Sequence, residues 1–121
     1  MKLLGVNSAG LSSKFHSFSK IIQDIQPSVF FIEETKMRRQ GKIKAENYQI
    51  FELVRKSTSA GGLAIGALND LNPVWVGEGG DKTEYLSVEI TVHKDFRIRC
   101  VAAYGPQENE QVEIKDKFLS Q

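Results

Sequence analysis

Two uninterrupted apolar runs limit what this chain can fold into. Val29 to Ile32 and Leu63 to Leu68 contain no polar side chain. Both are too short for a self-supporting helix. A strand sends successive side chains to opposite faces, so a run with nothing polar on either face is a strand covered from both sides. The chain must build layers on both sides of these strands or find a cover elsewhere.

The surrounding pattern is ordered. Leu3, Leu4 and Val6 form a first short strand, broken by Asn7-Ser8-Ala9-Gly10. Ser12 or Ser13 is suited to cap a helix. Phe15, Phe18, Ile21, Ile22 and Ile25 then recur at helical spacing, and Pro27 follows as a stop, which predicts a helix over 14–26. Tyr48 to Val54 and Val74 to Val76 read as strands. Leu86, Val88, Ile90 and Val92 alternate with Tyr85, Ser87, Glu89 and Thr91, the mark of a half-buried strand. His93-Lys94-Asp95 is a tight hairpin, and Phe96 to Ala103 returns. Val112, Ile114, Phe118 and Leu119 predict a modest C-terminal helix.

This order predicts an α+β fold, a mixed β-sheet with helices on one face. The strands at 3–6, 29–32, 63–68, 86–92 and 96–103 are expected in one sheet. Strands around Phe30, Ala64 and Val101 are apolar on both faces, and two helices cover one. The other face then calls for further chain, a second copy in a two-fold dimer, or a different protein.

Composition narrows the class. A chain of 121 residues can bury about two-thirds of its unfolded surface. With 40% hydrophobic and 26% charged residues it is built like an ordinary globular domain, expected to span 1–121. Sixteen basic residues face fifteen acidic ones, a net +1, so phosphate binding would need a local patch. Cys100 is alone, which rules out an internal disulfide and a cysteine zinc cage and fits a reducing compartment. The opening apolar run is too short for a signal peptide, and no run reaches membrane-spanning length. The expectation is a soluble intracellular protein, nuclear or cytoplasmic.

Chemistry is concentrated at strand ends. Ile32-Glu33-Glu34-Thr35-Lys36 closes a buried strand, where open sheets present functional groups. A carboxylate there, beside a strand-end Asn7, suits a hard cation such as magnesium; two solvated acids at a strand-to-loop junction would look the same. Asn7 can orient a carboxylate or simply form a turn. Tyr104, before Gly105-Pro106, can donate to a phosphate oxygen or cap the core. Arg55, Lys56 and Ser57 open a basic loop, Arg55 to Gly62, that could contact nucleic-acid phosphates or remain solvated; it lacks the spacing of a nucleotide P-loop. His16 and His93 have no partner in the sequence pattern and read as surface residues. Cys100 alternates with Ile98 and Ala102 as a small core residue.

Taken in order, Gly5-Val6-Asn7-Ser8-Ala9-Gly10-Leu11, Glu33-Glu34-Thr35-Lys36, Gly61-Gly62-Leu63-Ala64-Ile65 and Ala103-Tyr104-Gly105-Pro106-Gln107 resemble the N-terminal half of the endonuclease/exonuclease/phosphatase (DNase I-like) superfamily. The flavour is that of non-LTR retrotransposon and apurinic/apyrimidinic endonucleases. The resemblance implies half of a four-layered α/β-β/α sandwich, whose two facing sheets come from the two halves of the domain. It implies that Asn7 and Tyr104 act in catalysis, Tyr104 on the phosphate. Glu34 would hold a weakly bound magnesium, Lys36, Arg55, Lys56 and Ser57 would meet phosphates, and DNA is the implied substrate. This chain departs from the pattern: Val6 stands where the family has Trp, and Ala9 where it has an acidic residue or Asn. The family's catalytic Asp with its neighbouring Asn, and its closing Asp-His pair, lie in the C-terminal half, and nothing after Gln107 supplies them. The resemblance thus implies a domain portion inactive alone. Two alternatives stand beside it: a non-enzymatic dimerisation or partner-binding module reusing the half-fold, and a nuclease assembled from two chains.

Overall fold

The computed structural model describes residues 1–54, 61–79, 84–104 and 110–116, with 104 and 110–116 described through the backbone only. The chain begins with strand β1 (Leu3–Asn7), a 3-10 turn at Ser12–Lys14, and helix α1 (Phe15–Ile25). Strands β2 (Val29–Glu33), β3 (Tyr48–Leu53) and β4 (Leu63–Leu68) follow. After a second 3-10 turn at Asn69–Leu71 come β5 (Val74–Gly79), β6 (Glu84–His93), β7 (Phe96–Tyr104) and β8 (Glu110–Asp116). They form two four-stranded sheets, ordered β1-β2-β4-β3 and β5-β6-β7-β8. β1 and β2 are parallel, joined through α1, and every other pairing is antiparallel. The class is α+β, as the order of elements predicts, in layers of helix, sheet and sheet.

β2 is buried at every position because both of its faces are occupied. Toward α1, Phe30 and Ile32 join Phe18, Ile22, Leu11, Met37, Ile43 and Ala64. The Phe30 ring meets Phe18 edge-on at 5.3 Å and Tyr48 at 5.2 Å. It also lies over Gly66, its register partner on β4, where a Cβ would fall 2.1 Å from the ring. Gly66 is therefore a packing requirement: the neighbouring strand's aromatic ring fills the space of its missing side chain.

On the opposite face Val29 and Phe31 join Leu63, Ile65 and Ala67, and these pack against Leu86, Val88, Ile90, Cys100 and Ala102 of the second sheet. This second core corrects three expectations. The strands at 86–92 and 96–103 belong to a sheet of their own. Both facing sheets come from this one chain instead of one from each half of the domain. The apolar face expected to need a dimer partner or further chain is covered by β6 and β7. The turn through Asn69–Leu71, with Asn72 left-handed at φ +47° and Pro73 denying a backbone donor, carries the chain off the first sheet and onto the second layer.

Other differences are local. The C-terminal segment is strand β8, not a helix. Val112 and Ile114 keep a two-residue spacing, and β7 offers them an edge to pair with; Phe118 and Leu119 lie outside the described residues. β7 is buried on one face only, because Val101 is half-buried while Cys100 and Ala102 are buried. β5 continues to Gly79, past Val76. The start of α1 carries no side-chain cap from Ser12 or Ser13, and the Lys14 N–H is taken by the Leu11 carbonyl at 2.8 Å. At the other end Gln26 adopts the left-handed cap at φ +51°, donates to Ile22, and Pro27 follows. Of the helix's apolar residues, Phe18 and Ile22 are buried whereas Ile21 and Ile25 are exposed.

Candidate functional site

The strand ends converge at one end of the sandwich. β1 and β2 run parallel, so Asn7 stands level with Glu33. β4 runs the other way, so its first residue, Leu63, also lies opposite Glu33, with Gly61 and Gly62 just before it. On the second sheet the first residue of β6, Glu84, is paired with the last of β7, Tyr104. A hydrogen bond from the Gly62 N–H to Glu84 Oε1, 3.2 Å, joins the two sheets there.

The register refines the expected neighbour of Asn7, which is Glu33 and not Glu34. On β2 the residues facing the second sheet are Val29 and Phe31. Glu33 continues that alternation, and Asn7 shares its face by parallel pairing. Glu84 continues the inward series of Leu86, Val88 and Ile90. Glu33 and Glu84 are only 5% and 4% exposed, and a buried carboxylate must be held by donors to remain there.

Glu34 follows on the loop. Its backbone is left-handed at φ +51°, as is Lys36 at φ +53°, while Gly61 and Gly62 sit at +82° and +95°. Left-handed backbone costs a non-glycine residue about 1–2 kcal/mol, so the surroundings must impose it. They do so from both sides. From the β1 side, Ser8 Oγ donates toward the Glu33 and Glu34 carbonyls at 3.2 and 2.9 Å, Gly10 N–H donates to Glu34 at 2.8 Å, and Leu11 N–H to Thr35 at 2.9 Å. From the β4 side, Thr35 N–H donates to Gly62 at 3.2 Å and Lys36 N–H to Gly61 at 2.9 Å. Gly62 admits no side chain, since a Cβ would sit 2.3 Å from Thr35 Oγ1. Clustered left-handed residues of this kind are characteristic of functional loops.

Asn7 Oδ1 accepts the Ala9 N–H at 3.1 Å, closing a side-chain turn that shapes the loop after β1. Lys14 reaches back with its Nζ to the Ser8 carbonyl at 2.7 Å. The aliphatic part of Lys36 passes Gly10 and its side chain is exposed, so two cations flank this end. Arg55, Lys56 and Ser57 lie outside the described residues, and Tyr104 is placed through its backbone. Among the described residues no three acidic, His or Cys side chains are grouped to hold a metal. No helix among them is long and apolar enough to cross a membrane. His16 and His93 are exposed, as expected of surface residues.

Sequence reasoning missed Ser8, Lys14, Thr35 and Glu84. A buried Ser after a strand-end Asn, and a lone Glu opening a strand, carry no spacing signal; their roles arise from contacts across the fold.

No family model matches the chain, and no curated protein matches it. Among solved structures it is similar to an AP endonuclease from Leishmania major, with a TM-score of 0.66 over 83% of this chain at 18% identity. The chain shares its fold with part of that enzyme. It spans 38% of that protein's length.

Proposed function

We propose that this chain is the N-terminal portion of a divalent-metal phosphodiesterase domain that acts on DNA, and that residues 1–121 supply an incomplete site. The observation that carries this reading is the convergence of Asn7, the Glu33-Glu34 loop and the end of β7 at one end of a fold shared with an AP endonuclease. The donors this reading assigns to a hydrated hard cation are the half-exposed carboxylate of Glu34 and the Asn7 amide at the end of the adjoining strand, with most of the coordination left to water. When bound, magnesium would polarise a phosphoryl oxygen. Glu34 would hold that ion, and Asn7 would orient a neighbouring oxygen without adding charge. The phenol of Tyr104 is assigned to the phosphate by resemblance. Lys36, with Arg55, Lys56 and Ser57, would hold the nucleic-acid backbone through contacts that carry no sequence preference.

Hydrolysis also needs a group to activate water and one to stabilise the developing charge. Within the resemblance those are Asp and His residues that this chain does not match. The 121-residue chain is therefore expected to nick plasmid or abasic DNA at background rates with magnesium or manganese, whether or not Glu34 is replaced by Ala. Robust nicking that Glu34→Ala abolishes would overturn the incomplete-site reading and favour an enzyme built from two chains. Manganese should broaden the NMR signals of residues 33–36 in the wild type and not in Glu34→Gln. A wild type without that broadening would remove Glu34 from the metal role.

A further inference from the structure

We infer that Glu84 is a positioning residue for the Glu34 loop, held across the sandwich from the second sheet; its functional meaning rests on the reading of Glu34 given above. The chain of contacts is continuous. Glu84 Oε1 accepts the Gly62 N–H at 3.2 Å. The Gly62 carbonyl takes the Thr35 N–H at 3.2 Å, and the Gly61 carbonyl takes the Lys36 N–H at 2.9 Å. Glu34 immediately precedes these two donors and is itself left-handed.

A pair of glycines is the least constrained backbone available. Gly61 and Gly62 can adopt the positive φ that the loop requires, and by the same freedom they can leave it. A fixed acceptor on Gly62 removes that freedom. Glu84 can serve as that acceptor because it is 4% exposed, it opens β6, and its own backbone is locked in register against Tyr104. The close approach of Thr35 Oγ1 to Gly62 leaves the turn little room to adjust alone. Glu84 thereby sets the first sheet's acidic loop relative to the end of β7 on the second sheet.

The test is amide hydrogen exchange by NMR on the full chain, comparing wild type, Glu84→Gln and Glu84→Ala. In Glu84→Ala the amides of Gly62, Thr35 and Lys36 should exchange roughly tenfold faster, while those of Val88 and Cys100 at mid-sheet stay within about twofold. Glu84→Gln retains an acceptor oxygen and should restore most of the protection, leaving about a threefold effect at the same three amides. Equal acceleration at Val88 and Cys100 would make Glu84 a general stability residue and overturn the proposal. Acceleration confined to Gly62 would overturn it as well, since the tether would then not reach the loop. Should Glu84→Ala fail to fold, Glu84→Gln decides: unchanged exchange at Thr35 and Lys36 sinks the idea. Manganese broadening of residues 33–36 should weaken severalfold in Glu84→Ala, and unchanged broadening would deny Glu84 a positioning role. A wild type that shows no broadening refutes the metal reading of Glu34, an outcome distinct from the exchange result.

Discussion

In β2 every residue from Val29 to Glu33 is buried, whereas in β6 burial falls on Glu84, Leu86, Val88 and Ile90, with Ser87 the one buried residue between them, while Tyr85 and Val92 are exposed. The first sheet is the middle layer, with α1 on one side and the second sheet on the other. The second sheet has one face in the core, and on its other face Glu89 and Arg97 meet at 3.5 Å. The difference shows what alternation measures. Strict alternation or its absence reports how many faces of a strand are covered. It does not report which sheet the strand joins or where the cover comes from.

The sharpest test of this contrast is to truncate on both sides of β2. Phe30→Ala removes a ring from the helix side and Phe31→Ala one from the inter-sheet side, and each should cost about 3–5 kcal/mol by urea denaturation. Val74→Ala, on an exposed position of the second sheet, should stay within about 0.5 kcal/mol. A Phe31→Ala cost near that of Val74→Ala would mean that the two sheets do not pack as described.

Gly66→Ala comes next. Its methyl group must displace a Phe30 ring already held by Phe18 and Tyr48, so a loss of about 1–3 kcal/mol is expected. The two sites share one volume, so their effects should not add. In the Phe30→Ala background Gly66→Ala should be close to neutral. Additive costs would show that the ring does not occupy the glycine's space.

Cys100 reports on the inter-sheet core without mutation. Burial pushes its thiol up to about 11, and the side chain is fully covered. At pH 8 a thiol reagent should therefore label the native protein roughly tenfold or more slowly than the urea-unfolded chain. Native labelling at the unfolded rate would contradict a closed sandwich.

The smallest effect concerns Glu52, on the edge strand β3. Desolvation raises its pKa, and the hydrogen bond from the Gly41 N–H at 2.7 Å offsets part of that rise. A carboxyl with a raised folded pKa favours the native state when protonated. That contribution is present below the unfolded value of about 4.3 and is lost as pH rises through the folded one. Glu52→Gln should thus gain on the wild type between pH 4 and pH 7, a small difference because the group is half-exposed. A Glu52→Gln advantage that shrinks as pH rises would reverse the sign of the shift.

These residues also show what could be read without coordinates. The runs at Val29 and Leu63 declared double-sided burial correctly, and the helix spacing placed Phe18 and Ile22 on the core. The second sheet was misplaced because nothing local distinguishes a strand that pairs with its predecessor from one that crosses to face it. The turn at Asn69–Leu71 decides that, through one left-handed residue and a proline. Val112 and Ile114 fit both a short helix and a strand, and the free edge of β7 selected the strand. At the candidate site Asn7, Glu34 and Tyr104 were singled out because they stand at or just past the ends of apolar runs. Glu84 and Ser8 were not, because a tether has no periodicity.

β1 has a consequence of another kind. It is the outermost strand of its sheet, paired along one flank to β2 alone among the described strands. Elements secured on one side are the first to detach when a native protein breathes. Asn7 rides on this strand, whereas Glu33 rides on the fully enclosed β2. The two residues thus share a register position but not a lifetime: their pairing lasts only as long as a peripheral ribbon stays zipped to an interior one.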